Sequence, residues 1–407
     1  MARPFSVPRR SRRPSAIHVA SFAAVLAALP GCTEEPADPA PPPQRELLDA
    51  GPNAVGFIET ELSYDPVGTP TDRELLVRLW YPAVDGGEAA AAYALAGIVD
   101  LPTERALDAP TVARGTHPVA VYSHGNGGDG LVAYPYGEHL ASHGWVVAAV
   151  NHTGNTALDA LGGRASPFAR VLVDRPGDVS AVLDWLDGDA SPLAGSARVD
   201  DALVFGHSFG GYTAFAVAGA SADAEPLIEG CANADGADED CAVYADPEVQ
   251  ASLRAGYRDP RVKAIVPQAP AFITGMRDGA LGELSVPTLM ISGRRDITTT
   301  DATTAIPAWD GLDDPRDLWL EMPDGGHITF ITVCTDLDEA TLLAFQPSAP
   351  QDGCGPEFID PTVAIPVMNG YLLGFARAHV LGETRWRDVL TGPVWGPGFE
   401  LTVADGS

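Results

Sequence analysis

Ala202-Leu203-Val204-Phe205-Gly206-His207-Ser208-Phe209-Gly210-Gly211 leads directly into Tyr212-Thr213-Ala214-Phe215-Ala216-Val217-Ala218. The first four residues are a short apolar run of the kind that makes a parallel strand buried on both faces. The last seven are compatible with a buried helix. Between them lies Gly-x-Ser-x-Gly. A strand that becomes a helix within so few residues holds its central serine on a strained tip, and glycines two places before and two after remove side chains that would collide there. The helix start also leaves free N–H groups beside the serine, and the amide of Phe209 can donate to an oxyanion. Ser208 is therefore a candidate nucleophile on a nucleophile elbow. The bland alternative is an inert serine in a glycine-rich turn, as in many nucleotide-binding sheets.

Working outward, Pro118-Val119-Ala120-Val121-Tyr122 reads as another buried strand and runs into Ser123-His124-Gly125-Asn126-Gly127-Gly128. Glycines after a strand let backbone N–H groups turn inward, so the Asn126 amide is the candidate second oxyanion donor, against a merely flexible loop. Trp145 to Val150 is a third buried strand, followed by the polar loop Asn151-His152-Thr153-Gly154-Asn155-Thr156. Arg175-Pro176 is expected to open a helix from Gly177 to Leu186, with Val179, Val182, Leu183 and Leu186 on one face. Strand, loop, helix and elbow strand in that order imply a parallel sheet. Upstream, Phe57 to Leu62 and Leu75 to Tyr81 suggest two antiparallel strands. The alanine-rich stretch from Glu88 to Leu107 suggests a helix. His139 and His143 stand one helical turn apart on a helix expected from Leu131 to His143, a metal-ligand spacing with no acidic third ligand, which favours a plain surface helix.

Read in order, SHGNGG, GWVVAAVNHTGNT, RPGDVSAVLDWL, GHSFGGYTA and VPTLMISGRRD resemble the platelet-activating-factor acetylhydrolase and dienelactone-hydrolase-like branch of the α/β-hydrolase superfamily, with cutinase-like polyester hydrolases second. The likeness covers roughly Phe57 to Phe330. It implies an α/β-hydrolase fold: a mostly parallel central sheet with helices on both faces, and an inserted loop region after the nucleophile helix. Dienelactone hydrolases carry cysteine where this chain has Ser208, so a lactone substrate is not expected. In this superfamily, insertions on this side of the sheet shape the acyl pocket; whether the one over 221–260 covers Ser208 is not readable from the sequence.

A serine hydroxyl is a poor nucleophile at neutral pH and needs an imidazole to take its proton and a carboxylate to hold that ring. Thr288 to Ser292 reads as a strand leading through Gly293-Arg294-Arg295 to Asp296, where the fold positions its acid; Asp301 is the rival. Leu318 to Met322 is the last strand, followed by Pro323-Asp324-Gly325-Gly326-His327. His379, the other histidine beyond Asp296, sits in a long helical stretch, so His327 is the expected base. Ser208, Asp296 and His327 fall in the chain order this fold uses. The chemistry requires no metal or organic cofactor.

The chain has 407 residues and a formal net charge of −30. Such acidity argues against nucleic-acid partners and leaves neutral esters and zwitterionic lipids as acceptable substrates. Arg3, Arg9, Arg10, Arg12 and Arg13 precede an apolar run from Ala16 to Leu29, too short for a membrane span, which reads as a signal peptide over 1–31. Leu29-Pro30-Gly31-Cys32 resembles a bacterial lipobox, which implies lipidation of Cys32, a membrane anchor and an exported protein; ordinary secretion is the alternative. Residues 32–50, rich in proline and acids, are expected to be a disordered tether. The catalytic domain is expected over 51–390 and a C-terminal tail over 391–407. In an oxidising compartment the remaining cysteines suggest two local bridges, Cys231–Cys241 and Cys334–Cys354, rather than a zinc site, because no Cys-x-x-Cys pair is present. Three functions compete: an ester hydrolase on short-acyl, lipid or polyester substrates, another acyl-group chemistry on the same three residues, and a catalytically idle surface-binding lipoprotein.

Overall fold

The computed structural model describes residues 42–404 apart from 104 and 232–237. The leader, Cys32 and most of the expected tether lie outside the described residues. Among the described residues twelve strands are formed, by Ala54–Tyr64 (β1), Arg73–Ala83 (β2), Tyr93–Leu95 (β3), Val99–Leu101 (β4), Ala106–Asp108 (β5), His117–Ser123 (β6), Val146–Asn151 (β7), Ala197–His207 (β8), Val262–Gln268 (β9), Leu289–Gly293 (β10), Leu318–Met322 (β11) and Glu400–Val403 (β12). Ten of them make one sheet in the order β12-β11-β10-β9-β8-β6-β7-β2-β1-β5. From β11 across to β7 every neighbouring pair is parallel, while β2 joins β7, and β12 joins β11, in antiparallel fashion. The C-terminal ends of β6, β7, β8, β10 and β11 therefore share one edge of the sheet, and the loops that leave them converge there.

Side-chain alternation along the central strands explains the three-layer build. On β8, Leu203 and Phe205 belong to one core and Ala202 and Val204 to the other; on β6, Ala120 and Tyr122 oppose Val119 and Val121 in the same way. A strand apolar at every position must be covered on both faces. Tyr134–Ser142 (α2) and Pro361–His379 (α12) contribute to the first core, Phe168–Asp187 (α4) and Phe209–Ala218 (α5) to the second. The other helices are Pro42–Leu48 (α1), Ala157–Leu161 (α3), Ala224–Gly230 (α6), Glu239–Tyr244 (α7), Pro247–Ala255 (α8), Ala305–Gly311 (α9), Val333–Asp336 (α10), Glu339–Phe345 (α11) and Arg385–Leu390 (α13).

Several sequence expectations are corrected. The alanine-rich stretch is not a helix: β3 and β4 form a hairpin about Ala96-Gly97, both at positive φ, followed by β5. Alanine content suggested a helix, but Tyr93 and Leu95 alternate with exposed Ala94, a period of two. The expected tether becomes helical at α1, where Leu47 is fully buried; His139 and His143 of the next region donate from Nε2 to the Leu47 and Asp49 carbonyls at 2.9 and 3.0 Å. His139 is thus a buried clasp rather than part of a surface helix. The expected tail supplies the edge strand β12. Finally, α4 begins at Phe168 and runs through Pro176 without stopping. Proline removes the N–H that would bond the Leu172 carbonyl, and the Tyr212 hydroxyl donates to that carbonyl instead, at 2.9 Å.

Candidate active site

Ser208 sits between β8 and α5 at φ 57°, ψ −117°, a backbone region that costs a non-glycine residue about 1–3 kcal/mol. The neighbouring glycines are required by contact. A Cβ on Gly206 would lie 2.6 Å from the Gly210 and Ser123 carbonyl oxygens, and one on Gly210 would lie 1.8 Å from the Ser123 oxygen. The turn is pinned from the adjoining loop: Ser208 N–H donates to the Gln268 carbonyl at 2.8 Å, and the Ser208 carbonyl accepts from Gly211 and Ala271. The Phe209 N–H lies in the first turn of α5, where no intrahelical acceptor exists.

His327 opens the loop after β11. Its Nδ1 is 2.7 Å from Asp296 Oδ2 and 3.1 Å from Thr299 Oγ1, and Thr299 Oγ1 donates to the same Asp296 oxygen at 2.6 Å. The other Asp296 oxygen accepts from the Thr298 and Thr299 amides. Burial by itself would raise this carboxyl, but the His327 hydrogen bond and charge, with help from Thr299, outweigh it and hold the pKa below the ordinary value. An ionised Asp296 therefore accepts from Nδ1–H, which leaves Nε2 as the free face of the ring. Asp301 does not reach His327; its buried Oδ1 has no hydrogen-bond partner among the described residues, and burial pushes its pKa up.

Ser208 and His327 line one pocket of about 350 Å³, together with Gly125, Asn126, Gly127 and Gly128 of the loop after β6. That loop is bent by Gly127 at φ 65° and closed by Gly128 N–H to the Gly125 carbonyl at 3.0 Å. Gly125 passes so close to the elbow that a Cβ there would sit 3.3 Å from the Ser208 Cβ. The structure thus brings Ser208, Asp296, His327, Phe209 and Asn126 to one place. His379 lies elsewhere, on α12.

Among the described residues, the pocket wall comes from outside the inserted region. None of the described residues of 221–260 line it; α6, α7 and α8 instead pack with Ala169 and Val173 of α4. The apolar wall comes from Ile328, Ile331, Val333, Leu337 and Phe345, in the segment after His327, and from Leu95 and Val132 opposite. Cys334–Cys354 staples that segment, and Cys231–Cys241 closes the α6–α7 region; both pairings are those expected.

Sequence reasoning missed three supports. His207 donates from Nε2 to the His327 carbonyl at 2.8 Å and stacks on Phe330, and burial lowers its pKa to about 3, so it serves as a neutral prop. Thr299 bridges Asp296 and His327. Asp352, fully buried, ties the two loops that carry them. The x position of the elbow motif was a visible signal for His207; nothing local marks Asp352.

Comparison with known proteins agrees with this architecture. The family model "Platelet-activating factor acetylhydrolase, isoform II" matches residues 90–161, which contain the hairpin, the glycine loop and the loop after β7. Among solved structures, a ferulic acid esterase from Streptomyces cinnamoneus superposes with a TM-score of 0.59 over 87% of this chain and 96% of its own, at 23% identity. Solved chains matching this fold number 736, so the match speaks to architecture and not to substrate. No curated protein matches by sequence. The chain has the α/β-hydrolase fold, and the family match supports the acetylhydrolase-like branch read from its motifs.

Proposed function

We propose that this α/β-hydrolase-fold chain is a serine carboxylic-ester hydrolase, exported, and acting on short-acyl or phospholipid-type esters. The observation that carries the reading is the strained Ser208 sharing a pocket with a histidine whose Nδ1 is bound to a buried, ionised carboxylate. In the proposed cycle, His327 Nε2 takes the Ser208 proton as Oγ attacks the ester carbonyl. The Phe209 and Asn126 N–H groups meet the developing oxyanion, each worth roughly 3 kcal/mol in the transition state. His327 then delivers its proton to the leaving alcohol, and water repeats the sequence on the acyl-enzyme. Asp296 keeps the ring in the required tautomer and stabilises the imidazolium.

Turnover of p-nitrophenyl acetate, abolished by a serine-directed phosphonate that labels Ser208, tests the class. Activity that survives full labelling refutes it. A panel containing p-nitrophenyl esters of graded length, an acetylated phospholipid, methyl ferulate and a polyester film separates the substrate classes. The leader and Leu29-Pro30-Gly31-Cys32 support export with a lipid anchor on Cys32. Labelled palmitate entering the wild type but not Cys32→Ser is the expected result, and failure to label the wild type counts against the anchor.

A further inference from the structure

Arg175 is fully buried beside the candidate oxyanion site, with its guanidinium bonded to the loop after β6 on one side and to α5 on the other. Nη2 donates to the His124 carbonyl, immediately before Gly125 and Asn126, and to Ser123 Oγ at 3.1 Å. Nη1 donates to Asn155 Oδ1, which fixes that amide's orientation, so Asn155 Nδ2 donates onward to Asn126 Oδ1 at 2.7 Å. On the other side Nε donates to Thr213 Oγ1 at 3.2 Å. Thr213 in turn donates to the Phe209 carbonyl at 3.1 Å, and the guanidinium carbon stands 5.3 Å from the Phe209 ring centre.

The need for such a fixture follows from the loop's composition. Asn126 is exposed and flanked by glycines, and the peptide that carries its N–H is held at the Gly125 carbonyl by Gly128 N–H and by His124 Nδ1 at 2.7 Å, so its direction follows the position of His124 and of the loop as a whole. A preorganised donor works only if its direction is fixed before charge develops. Arg175 supplies two fixed points on that loop, one through His124 and one through Asn155, and its charge-assisted bonds are stronger than neutral ones. The scaffold beneath it is equally determined: His152 donates from Nδ1 to Asp178 at 2.8 Å and accepts from Ser123 Oγ at 2.8 Å, so the Ser123 end of the loop is held as well.

We propose that Arg175 is the positioning residue of the oxyanion site, setting the loop that carries the Asn126 amide through the His124 carbonyl and Asn155, and tying that loop to the first turns of α5 through Thr213. The proposal rests on Ser208 acting as the acyl-forming nucleophile. Its test uses p-nitrophenyl acetate as substrate and a trifluoromethyl ketone as probe, because the ketone adds to a serine and its oxyanion needs the same donors. Arg175→Lys keeps the charge but cannot span the four acceptors; it is expected to lower kcat about 100-fold, with ketone affinity falling by a similar factor and KM changing less than about 3-fold. Asn155→Ala, at a half-buried site outside the core, is expected to lose about 10-fold in both readouts. Should Arg175→Lys not fold, Asn155→Ala decides alone. Folded variants with wild-type kcat, or with kcat lost and ketone affinity retained, overturn the proposal. Wild-type turnover in Ser208→Ala would instead overturn the serine reading itself, so the two failures are distinct.

Discussion

Asp352 accepts the His327 backbone N–H at 3.0 Å with the same Oδ1 that takes the Ile297 N–H, also at 3.0 Å. Its other oxygen accepts from Thr298 Oγ1 at 2.6 Å. One buried carboxylate thus sets the spacing between the loop that carries Asp296 and the loop that carries His327. Asp352→Ala removes all three bonds and leaves buried donors unpaired, at about 1–3 kcal/mol for each group. It should lower kcat by about 100-fold, because small misplacements of a catalytic group are that costly. Kinetics well below the melting temperature, beside a denaturant titration, check this. Wild-type kcat in a destabilised protein would confine Asp352 to a structural role.

Ser208→Ala should leave the fold intact and remove about 10⁴-fold or more of esterase turnover, since the three residues act as a unit. For the acid, Asp296→Asn should cost far more than Asp301→Asn, because it presents an N–H to His327 and disfavours the working tautomer. Asp301 makes no contact with His327, so its replacement changes only local charge. If the two variants ranked in the opposite order, the acid would have to be reassigned.

These comparisons also mark what local sequence can carry. The elbow was legible because strand, glycine spacing and helix all fall within some fifteen residues, and Asp296 and His327 each follow an apolar run by a few positions. Asp352 was not, because its partners Ile297 and His327 are 55 and 25 residues away and meet it only through sheet order. The C-terminal strand β12 was missed for the same reason: Glu400–Val403 is short and half-exposed, and it becomes a strand only by pairing with β11. In the hairpin Tyr93–Leu101, composition hid the period. The origin of the pocket wall was equally hidden, since an insertion's sequence does not say which side of the sheet it packs on.

The two disulfides should differ in consequence. Replacing both cysteines of either pair by serine is expected to cost about 3 kcal/mol in the chain-entropy model. Cys354 lies two residues after Asp352, and its partner Cys334 follows the pocket residue Val333. The Cys334/Cys354 double variant should therefore lose activity at temperatures where it is still folded, while the Cys231/Cys241 variant, whose Cys241 lies on α7 against α4 and away from the pocket, keeps its kcat. Equal loss of kcat in both would refute this division.

Stability should fall as pH drops below about 6.5. Burial holds His139 and His207 to about 3 and His379 to about 4, and keeps His124 and His152 well below the ordinary value. Each is neutral when folded and takes a proton when unfolded, so the unfolded chain binds more protons throughout the window between the two pKa values. Each such group contributes a slope of up to about 1.4 kcal/mol per pH unit, lost as pH falls. Asp317, raised to about 7 by burial, works in the opposite sense between about 4 and 7, as do Asp174 and Asp301, but the five histidines outnumber them. Denaturant titrations at pH 7 and pH 5 should show net proton uptake on unfolding. A midpoint that stays level or rises at pH 5 would sink the argument.

The acyl side of the pocket sets the last expectation. Ile331, Val333 and Leu337 are each below 10% exposed, and what remains accessible lines the pocket, so the wall is continuous and apolar. Phe345, Gln346 and Ser348 stand at its outer part, where the chain turns exposed. An acyl group entering from Ser208 meets this wall, and each methylene it buries is worth roughly 0.8 kcal/mol until the wall stops it. With the segment tied at Cys334 and Cys354, it cannot retreat freely to admit a longer chain. Acetyl to butyryl esters should therefore be preferred, with kcat/KM falling for longer acyl groups. Phe345→Ala should move the optimum toward longer chains while leaving acetate turnover within about 3-fold, because it enlarges the pocket away from the reacting atoms. A steady rise in kcat/KM from four to twelve acyl carbons in the wild type would mean an open groove. Joined to release of soluble products from a polyester film, that result would favour a cutinase-like enzyme over an acetylhydrolase-like one.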